Sequence, residues 1–166
     1  LELAELNFVS ENDSKTKTVP HDSVINIFDR TTVIPVVNTA TRDTFWTAGT
    51  VNNTGKLTYT GNRKLTARVY TLLNIIGVDT HKYKLNIYKE PSGGADAVII
   101  ATKAFTMVNT NGGVSTGIVD LVTEINKNDT ITAKVTSLGG GSSSAVKFLN
   151  AQLSIQPLKI LFPIDS

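Results

Sequence analysis

The sequence predicts an all-β protein, an antiparallel β-sandwich of the jelly-roll type, and three observations carry that prediction. Threonine, valine and isoleucine are abundant, and β-branched side chains suit a pleated, half-buried strand better than a helix. Short apolar runs recur along the chain, and turns rich in asparagine and glycine separate them. No helical pattern is long enough to cross between parallel strands, so an α/β sheet is excluded.

Length and composition exclude several classes of protein. The chain has 166 residues, the size of one domain, and its 40% apolar residues suffice for a core. No apolar run approaches the roughly 18–20 residues that cross a bilayer, so no membrane insertion is expected. The net charge of +2 is too small to indicate a nucleic-acid partner. There is no cysteine, and two histidines leave little material for acid–base or zinc chemistry.

Three segments are predicted along the chain: an N-terminal arm or stalk end at 1–20, a jelly-roll domain at 21–158, and an apolar tail at 159–166. Pro20 marks the entry to the body. The first segment is interpreted either as an N-terminal strand or flexible arm, or as the end of a stalk that joins the domain to a larger assembly. The tail carries Phe162 and three other large apolar residues, so it either folds back onto its own domain or docks onto an adjacent subunit.

The strands of the body are predicted from their apolar patterning. In chain order they are 24–28, 33–37, 44–49, 56–60, 64–76, 82–89, 97–107, 114–123, 130–136 and 146–157. Pro35 places the second of them at an edge or in an irregular turn, because proline cannot donate to a ladder. The sixth alternates most clearly, with Tyr83, Leu85 and Ile87 on its buried face. The last changes phase by one residue, which indicates a β-bulge near Phe148.

Four patterned segments follow one another in the second half of the chain. They are GKLTYTG at 55–61, YKLNIYKE at 83–90, DLVTEINKNDTITAKV at 120–135 and VKFLNAQLSIQPL at 146–158. Their order resembles the tumour-necrosis-factor-like and complement-globular-head-like jelly rolls, in particular those that end bacteriophage tail fibres and other virion appendages. The resemblance implies a compact trimer of ten-stranded jelly rolls without enzymatic activity. It also implies a structural turn at Asn128 and Asp129, residue types that tolerate a left-handed backbone and cap their own turn.

The run at 64–76 is apolar on both faces, and this pattern predicts a subunit interface. Leucine, alanine, valine and isoleucine occupy odd positions, while Tyr70, Leu72 and Ile76 lie on the other face. A strand that is apolar on both faces is covered on both faces. One cover is the opposite sheet, and the other is expected to be a sister copy. We therefore predict Tyr70 and Leu72, together with Phe162 of the tail, at a threefold interface.

Catalysis is not expected from this sequence. His21 with Asp22, and the turn at 79–81, read as ordinary surface residues, and there is no G-x-S-x-G elbow, H-E-x-x-H motif or P-loop. The acidic residues are scattered through turns, which leaves paired carboxylates for glycoside hydrolysis as an open alternative. Calcium is the most plausible metal because it takes oxygen ligands from loops, but no calcium-loop motif is present. No cofactor is expected.

Carbohydrate binding is the alternative function that stays open. Exposed aromatic rings would stack on sugar rings, and asparagine side chains would bond the sugar hydroxyls. Trp46, Tyr70 and Tyr88 are the candidate rings. Trp46 is interpreted as a core or interface anchor, and Tyr88 lies on the wet face of its strand. The loops at 109–113 and 139–144 are expected to be mobile and to carry recognition. The contact residues predicted in them are Asn109, Asn111, Gly140 and Ser142.

The function expected from these observations is a non-enzymatic trimeric virion appendage domain, the tip of a phage tail fibre or spike, for attachment to a host receptor. Its expected location is the virion. Its expected partners are sister copies, other virion proteins and a host-cell surface glycan or protein. Two alternatives stay open: a structural assembly module of a virion, such as a capsid decoration, baseplate or spike protein, and a stand-alone carbohydrate-binding module.

Overall fold

The computed structural model describes residues 4–9, 17–19, 21, 24–28, 38–41, 46–48, 55–77, 82–93, 96–106, 113–138 and 144–158. These residues form twelve strands, and none of the described segments is a helix long and apolar enough to cross a membrane. In chain order the strands are β1 (Ala4–Val9), β2 (Lys17–Val19), β3 (Ile25–Asn26), β4 (Asn38–Thr41), β5 (Trp46–Ala48), β6 (Leu57–Tyr59), β7 (Leu65–Gly77), β8 (Lys82–Glu90), β9 (Val98–Thr106), β10 (Val114–Ile125), β11 (Thr130–Ser137) and β12 (Ser144–Pro157).

The strands are arranged in two antiparallel sheets. Sheet A has the order β10-β7-β12-β1-β4, with β2 also paired to β12. Sheet B has the order β5-β6-β11-β8-β9, with β3 also paired to β11. Most neighbours within a sheet are distant in the chain, and from β7 onward the chain passes from one sheet to the other at each connection except the β8–β9 hairpin. The sandwich is therefore a jelly roll, which confirms the fold class predicted from the sequence.

The described part of the first twenty residues belongs to the sandwich. β1 lies in sheet A between β12 and β4, with Ala4 opposite Ile155, and β2 pairs with the start of β12. Ala4 and Val19 are fully buried. Both strands therefore form ladders within sheet A. The division of the chain into an arm, a body and a tail stays a prediction, and the tail at 159–166 lies outside the described residues.

The core lies between the sheets, and β7, β8, β10, β11 and β12 contribute most of it from alternate residues. Tyr83, Leu85 and Ile87 are fully buried, as the alternation of β8 predicts. Trp46 is also a core residue, since its ring packs at 5.1 Å from that of Tyr59 and it is almost fully buried. The largest fully buried side chains are Tyr83, Phe28, Ile27, Leu57, Leu73, Ile75, Leu85, Ile87, Ile125, Ile131 and Leu153.

A β-bulge interrupts the last strand where the sequence predicts one. The register between β12 and β7 shifts between Phe148 and Asn150. Leu149, which the sequence pattern places in phase with Ala151, is instead the extra residue without a partner in β7. The bulge lets both halves of β12 turn apolar residues toward the core, because a one-residue shift moves every following side chain to the opposite face.

The turn between β10 and β11 is fixed by a buried carboxylate. Asn128 has a φ of 68°, the left-handed conformation expected of it, and Asp129 is 2% exposed. One oxygen of Asp129 accepts the backbone N–H of Asn126 at 2.8 Å, and the other accepts that of Ser92 at 3.3 Å. The predicted structural role of this turn is confirmed, and the carboxylate also ties the β8–β9 hairpin to it.

Replacing Asp129 with alanine should lower the free energy of unfolding by about 2 kcal/mol, because two backbone donors at a buried position lose their acceptor. Urea denaturation followed by circular dichroism measures the change. Asp96→Ala is the matched control, since Asp96 is exposed. Equal effects of the two substitutions would show that the carboxylate does not hold the turn.

Candidate functional site

An apolar stripe lies on the outward face of sheet A, the face directed away from the core. Leu72 of β7 pairs with Ile118 of β10, and Ile76 pairs with Val114. Ile118 is 43% exposed and Val122, further along β10, is 60% exposed. We call this surface the sheet A face and define it by its apolar members: Tyr70, Leu72, Ile76, Val114, Ile118 and Val122.

The structure brings Tyr70 and Leu72 together on this face, on the side of β7 opposite its buried residues. The interface predicted from the sequence contains Tyr70 and Leu72 but not Val114, Ile118 and Val122. Their spacing of four residues in a strand puts all three on one side, so a search for a second apolar period in 114–125 would have found them.

A polar row crosses the same face over three strands. Thr116 donates to Asn74 Oδ1 at 2.5 Å, and Asn74 Nδ2 donates to Asn150 Oδ1 at 2.6 Å. Two residues further along β12, on the same side of the strand, the side-chain amide of Gln152 donates to the carboxylate of Glu5. Because these side chains already bond to one another, fewer of their polar groups would lose a hydrogen bond to water under a partner surface than if they were unpaired.

A bidentate ion pair borders the apolar stripe. Arg68 donates from Nε to Asp120 Oδ1 at 2.9 Å and from an Nη to Oδ2 at 2.6 Å. Its guanidinium also lies 5.7 Å from the centre of the Tyr70 ring. Arg68 lowers the pKa of the Asp120 carboxyl below its ordinary value, first through its hydrogen bonds; partial burial opposes this shift and the positive charge of Arg68 adds to it. A cleft of about 330 Å³ opens here, lined by Arg68, Tyr70, Ser154 and Gln156.

A second ion pair lies at the end of the same ladder. Lys64 Nζ is 2.7 Å from a carboxylate oxygen of Glu124, and this hydrogen bond lowers the pKa of Glu124. Both members are exposed. Exposed pairs of this kind contribute little to stability.

The Arg68–Asp120 pair predicts a specific pH dependence. A carboxyl with a lowered pKa in the folded state contributes stability above its unfolded pKa of about 3.9, and loses that contribution as the pH falls through the folded pKa. An NMR titration should therefore place the Asp120 pKa below that value. Arg68→Gln should return it toward the ordinary value. If the Asp120 pKa is the same with and without Arg68→Gln, the pairing of Arg68 with Asp120 is contradicted.

The outward face of sheet B holds the other aromatic candidate. Tyr88 is half-buried there, on the face predicted from the alternation of β8. Lys134 Nζ of β11 lies 4.7 Å from the centre of its ring, within the range of a cation–π interaction. Tyr88 stands opposite Thr132 on one side and Ile99 on the other. The ring is thus fixed between two strands while part of it reaches solvent.

Five of the predicted contact residues lie outside the described residues, and their placement stays a prediction. They are Asn109, Asn111, Gly140, Ser142 and Phe162. In the part of the chain that the structure describes, no group of three histidine or acidic residues is arranged to hold a metal ion. The ring of His21 lies 3.1 Å from the carbonyl oxygen of Ser137, a contact that anchors its segment to β11.

The comparisons with known proteins give a fold. No family model matches the sequence, and no curated protein matches it. Among solved structures, murine APRIL at pH 5.0 is similar with a TM-score of 0.59 at 10% identity, over 93% of this chain and 98% of that one. Eiger TNF from S. frugiperda is similar with a TM-score of 0.59 at 11% identity, over 100% of this chain and 99% of that one.

These two neighbours define the class of fold: the described residues form a TNF-like jelly roll. A second structure of murine APRIL, at pH 8.5, agrees with a TM-score of 0.54 at 12% identity. The resemblance in the strand patterns of 55–158 is confirmed at the level of fold, and the similarity to Eiger TNF includes β1 as well.

Proposed function

We propose that this chain is a non-enzymatic domain that assembles as a homotrimer through the sheet A face and serves in attachment at the tip of a virion appendage. The observation that carries the assembly is the two-faced ladder of β7 and β10. Its inward residues fill the core, while its outward residues form an apolar stripe at which Ile118 and Val122 are strongly exposed. A contiguous exposed apolar patch of this kind is typical of an interaction site.

The polar groups around the stripe support the same proposal. Asn74 and Asn150 bond to each other, and Arg68 bonds Asp120 through both of its carboxylate oxygens. A buried charge is costly unless it is paired, so a pair already formed within one subunit can be covered at lower cost than two separate ions. The face combines apolar area with satisfied polar groups, as the central part of a protein–protein interface does.

Light scattering at micromolar concentration tests the assembly. A trimer has three times the 17.8 kDa of one chain. A particle of single-chain mass across the micromolar range would overturn the proposal, and a dimer would overturn its threefold symmetry.

The place on a virion is supported by the resemblance of 55–158 to jelly rolls that end bacteriophage tail fibres. A host-cell binding assay with the purified domain separates attachment from the alternative role in virion assembly. Saturable binding to cells supports attachment. Binding to virion proteins alone, with none to cells, supports a structural assembly module.

A further inference from the structure

Three lysines form a cluster on the outward face of sheet B. Lys82 and Lys84 are two residues apart in β8, so their side chains lie on the same side, about 7 Å apart along the strand. Lys134 of β11 stands opposite Asn86, while Lys84 stands opposite Thr136, so Lys134 is the diagonal neighbour of Lys84. Diagonal neighbours of this type are about 7–8 Å apart. We call these three residues the lysine cluster.

The lysine cluster has no carboxylate partner among the described residues. The three ion pairs found there are Lys56–Glu90, Lys64–Glu124 and Arg68–Asp120. The positions that flank the cluster on β9 and β11 are neutral: Thr102, Ala104, Thr106 and Thr136. The net charge of the whole chain is only +2, so these three lysines are a local concentration of positive charge. Because no carboxylate of the described residues pairs with them, their positive potential acts on a ligand above this face.

An aromatic and hydroxyl-rich surface adjoins the charges. Lys134 lies over the half-buried ring of Tyr88, and Ile99 beside that ring is 47% exposed. In the next row exposed Thr102 donates to Asn86 Oδ1 at 2.6 Å, and Asn86 itself is buried beneath this surface. The face thus combines ammonium groups, a partly exposed ring with an apolar neighbour, and short polar side chains.

We propose that the outward face of sheet B binds an acidic polysaccharide, a chain of uronic acid or sulfated sugar units. Its carboxylate or sulfate groups would contact the lysine cluster, and the apolar side of a sugar ring would lie against Tyr88 and Ile99. Hydroxyl groups would bond the exposed side chains of Thr102 and Thr106. A nucleic acid is disfavoured because its binding needs a stronger basic balance than this chain carries.

This inference deepens the attachment role proposed above, but the contact itself does not depend on the trimer. The polysaccharide would occupy the face opposite the one proposed for assembly, so both can be occupied at once. If the trimer forms, three such faces on one particle would raise the apparent affinity for a long polymer by avidity.

Binding of the full chain to immobilised heparin and polygalacturonate tests the proposal, with neutral dextran as the blank. Both acidic polymers should retain the protein at low salt and release it as salt is raised, because exposed charges are screened. The variant K82E/K84E/K134E should lose affinity by about tenfold or more. Tyr88→Phe keeps the ring and should bind as the unmodified protein does.

The matched control is R63E/K103E/K127E, which removes the same charge at exposed positions outside the lysine cluster. It should lose less than about threefold. Equal losses in the two triple variants, or no retention by either polymer, would overturn the proposal. Single-stranded DNA bound as tightly as heparin would overturn the assignment to polysaccharide. Light scattering on the same samples separates the two proposals, since a trimer that does not bind contradicts only this one.

Discussion

Replacing Leu72 with lysine should convert the proposed trimer to monomers while the β-type circular dichroism spectrum stays unchanged. Leu72 lies on the sheet A face opposite Ile118, at the centre of the apolar stripe. In the assembly the new ammonium would be buried without a partner, which costs about 3–5 kcal/mol and raises the dissociation constant by a hundredfold or more. In the monomer the same side chain reaches water, so the fold of the subunit is unaffected.

Light scattering across a concentration series measures the effect. Ser92→Lys is the control, because it adds the same charge at an exposed turn between β8 and β9, away from the sheet A face. We expect that variant to remain trimeric. A trimer that survives Leu72→Lys at low micromolar concentration would show that subunits meet through another surface.

The neighbouring leucine should give the opposite result. Leu73 is fully buried between the sheets, so Leu73→Ala should lower the free energy of unfolding of the subunit by about 3 kcal/mol. The measurement is made in the monomeric Leu72→Lys background, where urea unfolding reports the subunit alone. Ile118→Ala in the same background is the control, and its effect should stay within about 0.5 kcal/mol because that side chain is exposed.

Leu73 of β7 and Ile118 of β10 together test which faces of the two strands point into the core. A shift of one residue would exchange the faces of every side chain in the strand. If Leu73→Ala had little effect on unfolding and Ile118→Ala a large one, the assignment of the inward and outward faces would be wrong.

Local patterns in the sequence predicted the parts of the fold that depend on neighbouring residues. The alternation of 82–89 gave the buried face of β8, the phase change near Phe148 gave the bulge, and the Asn128–Asp129 pair gave the turn. Each follows from the two-residue period of a strand or from the conformational preference of a residue in its own turn.

Pairing between distant strands was beyond reach of the sequence alone. Arg68 and Asp120 are 52 residues apart, and nothing local indicates that β10 lies beside β7. The lysine cluster shows the same limit, since the alternation of β8 places Lys82 and Lys84 together but Lys134 joins them only through the register with β11. The candidate site therefore depended on the order of strands in each sheet, which many weak long-range contacts decide together.

The pairing of β1 with β12 brings the first and last described strands side by side. Ala4 stands opposite Ile155, so the start of β1 and the end of β12 lie at the same rim of the sandwich. Domains with adjacent ends accept circular permutation readily. A permutant that links the two ends with a short glycine-rich connector and reopens the chain at the exposed hairpin of Ser92 and Gly93 should keep both sheets intact. A segment fused to the new ends of this permutant would lie on a different side of the domain.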